Sequence, residues 1–461
     1  MSQTTGVSQA TGLTQSATGL TQSATGPTQS ATGPTQSATG PTVAGRVGDV
    51  KASVRQSLSG SPGQLRILAL LAVAVSLIFA LGAYSAFGSA DAALGRAGAN
   101  AAQLVRIQAI HTSLVRADAD ATNAFLVGGL EPADQRANYL TSMSQASTLI
   151  AEAAKAQPAD GQALGALNNS VLTYAGLIEQ ARATNRQALP VGAQYLRVAS
   201  AGLRSEALPI LDALVSANDA RVRAEFSNAS GASTALITSG VLALLVLVGG
   251  MVWLSRHTHR YINLPLAVAT AAILVTLLVG YIMLASVSSR VASVRDGSYA
   301  ATLATAKARI AAFDAKSNES LTLIAHGSGA AFEQAWASSS KVVTQQSAAA
   351  GKLTNDAANM SGLWAAYVAT HKEIRAADDG GNWDGAVTMA IGSGPTSANA
   401  TFSAFDARSG SALASSSKAA SDSLDGPRIW LALLGWLGLL VGIAAAVSAW
   451  WGVSLRLEEY R

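Results

Sequence analysis

The sequence predicts an all-α integral membrane protein with four transmembrane helices, two tandem extracytoplasmic up-down four-helix bundles of chemoreceptor-like plan, and a disordered N-terminal tail. Three observations carry this. The 461-residue chain has a mean hydropathy of +0.30 with only 13% charged residues, too few for an ordinary soluble protein of its size. Four windows, 67–87, 235–254, 264–287 and 429–451, contain no Asp, Glu, Lys, Arg or His, and each reaches the length of about 20 residues needed to cross a hydrocarbon core. The segments between them are rich in helix formers, with Gly and Pro in clusters and little strand-like alternation.

In chain order, residues 1–65 form the tail. "TQSATGL" at 14–20 is followed by "TQSATGP" at 21–27, 28–34 and 35–41. Thr, Ser, Gln, Gly and Pro bury too little surface to offset the entropy of ordering, and the seven-residue period has no apolar seam. The first span begins too late, and without a suitable cleavage site, to be a removed signal peptide. Arg46, Lys51, Arg55 and Arg66 precede it, and "SRHTHRYINLP" (255–265) between spans two and three carries Arg256 and Arg260 but no acid. The positive-inside tendency places the N-terminus, the 255–263 loop and the 452–461 tail in the cytoplasm of a plasma-membrane protein. The segments 88–234 and 288–428 then face outward.

The first outer segment divides at "VGGLEP", "QPADGQ" and "ALPVG", giving helices near 88–127, 132–156, 160–188 and 192–234. Connections this short dictate up-down-up-down packing, and a helix of about 40 residues reaches about 60 Å from the membrane. The second segment echoes the first: 118–139 by 314–336, and 174–195 by 367–388, at a near-constant offset. A duplicated span–bundle–span unit explains the constant order.

The search for chemistry is negative. The chain has no phosphate-binding loop, no dinucleotide fingerprint and no H-E-x-x-H. "HGSG" (326–329) reads as a helix–helix turn and not a nucleophile elbow. His257 and His259 lack further metal ligands, and no Cys is present. The expectation is a non-enzyme with no cofactor and no metal. Spans without ionisable residues count against a transporter, and the basic residues do not form a nucleic-acid surface. Asp118 and Asp120 fall on different helix faces; solvation is expected for both, with a place in a binding surface the alternative for one of them. Gly438 and Gly442 form G-x-x-x-G in span four, read as packing within the four-span bundle. The candidate partner-binding residues lie at the distal tips. Gly128, Gly129 and Glu131 sit beside Val191 and Gly192; His326, Gly327 and Ser328 sit beside Asp379, Asn382, Trp383 and Asp384. Trp383 either caps its bundle or anchors a partner.

At "DATNAFLVGGLE" (120–131) and "VGAQYLRVASAGLRSEALP" (191–209) the chain resembles the GlnX-type four-span membrane proteins of actinobacteria. The resemblance covers both outer segments and all four spans, but not the repeat. It implies two partners, an extracytoplasmic glutamine-binding-type lipoprotein (GlnH-type) and the cytosolic Ser/Thr protein kinase G. The implied role is to relay availability of glutamine-, glutamate- or aspartate-type amino acids to the kinase. The bundles also resemble chemoreceptor ligand domains, although the chain lacks their long cytoplasmic coiled coil. A self-contained small-molecule sensor and an envelope scaffold are the alternatives.

Overall fold

The computed structural model describes residues 61–127, 130–258 and 263–458, all helical except for short connections. The repeat tail and most of the inner loop, including His259, fall outside the described residues, as do Gly128 and Gly129. No strand occurs among the described residues.

Among the described residues four helical runs are long and apolar enough to cross a membrane, and each extends beyond its apolar segment, two of them through short turns at Ala232 and at Gly426–Pro427. The first, α1 (Ser61–Val127), has 67 residues, about 100 Å at 1.5 Å per residue. After α2 (Ala133–Ala156) and α3 (Gly161–Arg186), the chain returns through α4 (Val191–Gly202) and α5 (Leu208–Gly231) into α6 (Ser233–Thr258). A π-helical turn, Leu203–Ala207, joins α4 to α5. The second half begins with α7 (Leu264–Val294), joined to α8 (Ala300–Ile324) by another π-helical turn, Arg295–Tyr299. Then come α9 (Ala330–Leu353), α10 (Met360–Asp379), the short α11 (Trp383–Ile391), α12 (Ala398–Asp425) and α13 (Arg428–Glu458).

The two halves share this plan. Helices α2 and α9 are both 24 residues long, and their starts, 133 and 330, differ by 197. Each is followed by a single 3₁₀ turn, Pro158–Asp160 and Asn355–Ala357, which is the same offset. The duplication seen in sequence is thus a repeat of supersecondary structure.

The spans pack as a ring, α1 against α6 and α13, with α7 closing it. Small residues permit the close approaches. A Cβ built on Gly438 would lie 2.8 Å from Ala83 Cβ, and one on Gly442 would lie 2.5 Å from Ala80 Cβ. The G-x-x-x-G row therefore packs α13 against α1 within one chain. At the end of the spans where α7 begins, Asn263 donates to Gly452 O at 2.7 Å and Ser448 to Pro265 O at 2.8 Å. Leu81, Leu245 and Ile282 remain more than 60% exposed, the apolar exterior that lipid requires.

The outer halves are not two separate cores. Near the membrane Leu94, Leu104, Val222, Phe226, Tyr299 and Leu424 join the apolar core of the spans. One stalk of four helical runs therefore rises from the bilayer. Farther out, a single apolar cluster includes Ile107, Leu114 and Leu196 from the first half and Ala308, Phe313 and Phe405 from the second. Helix α8 lies in the middle and is buried on nearly every side. The hairpins α2–α3 and α9–α10 flank the stalk. Sequence patterning resolves which residues avoid water but not which apolar face they meet, so the fusion of the halves was invisible to it.

Overpacking the closest glycine tests the ring. Gly442→Leu has no room against the Ala80 backbone, and the expected cost is about 1–3 kcal/mol. The detergent-solubilised protein should melt at a lower temperature, while Gly249→Leu, with open space around it, should melt like the parent.

Candidate functional site

The outer helices meet along a seam of buried charge. Asp118 of α1 is 1% exposed. Its Oδ1 accepts from Ser200 at 2.6 Å and its Oδ2 from Ser317 at 2.6 Å, so α4 and α8 both hold it. Arg204 lies in the π-helical turn. Its Nη1 is 3.0 Å from Asp118 Oδ2 and its Nε is 2.9 Å from Asp314 Oδ1. Asp118 and Asp314 occupy matching positions in the two halves, and one guanidinium bridges them. Burial lowers the Arg204 pKa, but the two carboxylates outweigh it and the net direction is upward. The expectation that Asp118 is solvated is therefore wrong. Its face of α1 points at the other half of the molecule, and the burial of Asp118 requires the hydroxyl and guanidinium donors.

A second junction stands beside the first. Arg116 of α1 and Arg309 of α8 both pair with Asp406 of α12, at 2.7 and 2.8 Å. Arg116 also lies over the Phe313 ring, 4.7 Å from its centroid.

Between α1, α2, α8 and α12 a polar cleft of about 460 Å³ opens onto this junction. Its lining includes Arg116, Asp120, Asn123, Gln135, Ser142 and Asp406. Asp120 is half-buried in this lining. Burial is the first cause that pushes its carboxyl up, to about 7, with Arg116 opposing.

A third cluster fills the second half. Glu319 of α8 is 1% exposed and lies 2.7 Å from Lys316 Nζ, 2.8 Å from His371 Nδ1 and 3.0 Å from the Tyr367 hydroxyl. His371 stacks on Trp336 with centroids 3.6 Å apart, and its Nε2 is 3.3 Å from Glu333. Burial would raise Glu319, but Lys316 and His371 outweigh it and hold the carboxyl at about 2. Burial likewise lowers His371, but Glu319 and Glu333 outweigh it and raise its pKa.

The sequence-selected tip residues divide. Glu131 pairs with Arg182 and is mostly covered, and Gly192 is buried against Thr184. Asp384 is exposed. His326 is exposed with φ 43°, ahead of Gly327 at φ 78°, a turn that glycine makes without strain. His326 packs on Trp383 with centroids 4.4 Å apart. Trp383 is half-buried and donates its indole N–H to Leu323 O at 2.9 Å, so it caps the second half. The tips thus hold His326, Trp383 and Asp384 together, while Glu131 belongs to the first half. Sequence reasoning missed Arg204, Lys316, Glu319 and His371. Only the charged pairs on a helix with no continuous polar face hinted at them.

Residues 93–227 match the family model of the actinobacterial sensor domain. The match runs from within α1 to within α5 and includes Asp118, Asp120 and Arg204. It fits an actinobacterial sensor protein and a sensing or signalling role. No curated protein and no solved structure matches the chain.

Two outcomes follow from these clusters. Arg204→Ala leaves Asp118 buried with only hydroxyl donors, so about 3 kcal/mol of stability should be lost, read by urea or thermal melts. Protonated His371 contributes stability that is full below its ordinary value of 6.5 and fades as pH rises through its higher folded value. The Glu319 contribution is full above 4.5 and is lost as pH falls towards 2. The difference in melting temperature between parent and His371→Gln should therefore peak at about pH 5–6.5 and shrink on the alkaline side.

Proposed function

We propose that this chain is a non-enzymatic transmembrane signal relay, with the N- and C-termini cytoplasmic and both outer halves extracytoplasmic. The observation that carries the reading is mechanical. Each of the four spans runs on into an outer segment, directly or through a turn of one or two residues, and the outer segments are tied by buried charges. A shift of about 1–2 Å in one stalk helix, an established mode of switching, is thereby transmitted to the membrane. In this reading the π-helical turns at 203–207 and 295–299, which lie in two of these four runs, are the points of adjustment.

In this reading the signal is the availability of an amino acid of the glutamine, glutamate or aspartate type. It is delivered by a GlnH-type solute-binding lipoprotein docking at the distal tips, where Leu130, Val191 and Asp384 are exposed. The output is a cytosolic Ser/Thr protein kinase of the kinase G type, reached through the basic inner loop. The matched sensor domain and the resemblance at 120–131 and 191–209 support this assignment. One observation favours a second reading, a self-contained sensor: the polar cleft between the two halves takes part of its lining, Asp120 and Ser142 included, from the matched segment.

The chain has no native cysteine, so single cysteines report topology cleanly. Ser328→Cys should react with an impermeant thiol reagent in intact cells and Ser255→Cys should not; the reverse pattern would invert the topology. Crosslinking mass spectrometry in native membranes should recover a solute-binding protein on the outer halves and a kinase on the inner loop. Recovery of neither, with only envelope components attached, would point to a scaffold.

A further inference from the structure

We propose that α4 is the docking helix of the outer halves. Its outer face, with the groove between α4 and α9, receives an amphipathic helix of an extracytoplasmic protein, one whose apolar seam is flanked by a carboxylate. The inference deepens the relay reading and rests on it for the choice of partner. It narrows the docking surface to one helix and states the partner's chemistry.

Helix α4, VGAQYLRVASAG, is apolar on two faces. Gly192, Leu196 and Ala199 are buried and attach it to the first half. Val191, Gln194, Val198 and Ala201 are exposed, Val191 and Val198 by 44% and 43%. Their spacing of three, four and three residues is that of a helix–helix seam, and all but Gln194 are apolar. A surface helix ordinarily carries charged or polar residues on this face. The fold does not require the exposure. Aligning 174–195 with 367–388 sets Asp384 against Val191, and α11 turns Ala386, Val387 and Ala390 inward while exposing Asp384 and Thr388. Leu189, exposed in the turn before α4, extends the apolar strip towards the tip.

Beside this face lies an open groove of about 480 Å³ between α4 and α9, floored by α8. Val198, Ala201, Leu321, Ala331, Phe332 and Ala335 line it, and the alanines on both walls let an apolar helix face approach closely. Its ionisable lining residues are Arg197 and Arg204, and no acid lines it. Arg204 is committed to the seam. Arg197 makes a long bond from Nε to Ala193 O, 3.4 Å, and has no carboxylate within ion-pair distance among the described residues. The acids nearby are engaged or face elsewhere. Asp118 and Asp314 lie outside the lining, and all four of their oxygens accept from Ser200, Ser317, Arg204, Asn318 or Ser339. Glu333, next to Phe332, faces His371 and Arg375. Exposed Glu206 is not part of the lining. A carboxylate beside an apolar seam therefore matches Arg197. A second copy of this chain does not, because α4 against α4 sets Arg197 near Arg197. The groove also reaches the joint between the halves: Ser200 and Arg204 line it, and both hold Asp118.

The full chain in lipid nanodiscs provides the test, with the purified solute-binding protein of the relay reading as probe and surface plasmon resonance as readout. The parent should bind. Val191→Ser combined with Val198→Ser, and separately Arg197→Glu, should each weaken docking by about tenfold or more. Leu172→Ser, which removes an exposed apolar side chain from α3, should leave docking as in the parent. Melting temperatures equal to the parent's show that each variant keeps its fold. Benzoylphenylalanine in place of Val198 should capture, on illumination, a helical segment of the probe that carries Asp or Glu. Docking undiminished in both groove variants, or capture only from the same label in place of Asp384, would overturn the groove and keep the relay. Calorimetric binding of octanoate that Arg197→Glu abolishes, with protein docking retained, would give the groove to a small apolar carboxylate and overturn the proposal. No binding of the probe to the parent would overturn groove and relay together. Spin labels on Gln64→Cys and Ser454→Cys, at the ends of α1 and α13 farthest from the groove, separate the remaining case. Docking through the groove with no change in label distance would keep the groove and overturn the relay.

Discussion

Asp118 is the constraint around which the outer halves are arranged. A carboxylate that is 1% exposed is costly unless nearly every lone pair finds a donor. The donors come from different elements: Ser200 on α4, Arg204 on the π-helical turn and Ser317 on α8. None is near Asp118 in sequence, so the carboxylate is satisfied only when both halves are docked. Arg204 then reaches Asp314, the counterpart of Asp118 in the other half. A buried pair of this kind adds little to stability against an apolar alternative, but it penalises misdocking heavily. That asymmetry suits a joint required to hold a small number of defined registers.

The membrane-proximal part is governed by different physics. There, apolar side chains gain nothing by leaving lipid for protein, so close contact between small residues decides the packing. Gly438 and Gly442 against Ala83 and Ala80 bring α13 onto α1, and Arg428 pairs with Asp91 just outside that contact at 3.1 Å. Because the core of the spans continues into Leu104, Phe226 and Tyr299, no flexible linker separates the two regimes. The spans and the helices beyond them thus share one packed core.

The two halves have diverged within a common plan. At the level of Asp118 the first half contributes an acid, hydroxyls and an arginine to the shared seam. The second half encloses Glu319, Lys316 and His371 in its own interior, stacked with Trp336 and close to Tyr367. The polar cleft forms where α1 and α2 of the first half meet α8 and α12. Duplication supplied two similar units, and the asymmetry between them leaves space on one side.

Much of the secondary structure was legible in the sequence. Charge-free runs of about 20 residues can only be buried in lipid or protein, and Gly and Pro clusters mark helix ends because they disfavour helical continuation. The repeat offset was legible too, since a duplicated unit preserves the spacing of its elements. The close packing of Gly438 and Gly442 followed from their four-residue spacing. The burial of Asp118 and Glu319 could not be read this way. A charged residue on a helix pattern looks solvated unless its face is known to meet another helix, and for Asp118 that helix lies 199 residues away. Trp383 shows the same limit: its half-buried position depends on Leu323 accepting its indole N–H. The sequence by itself determined the helices, the spans and the doubling, which are set by local propensity and by hydropathy. Only the tertiary structure decided the fusion of the halves, the Arg204 seam and the cleft, because each is made by side chains that long-range packing alone brings together.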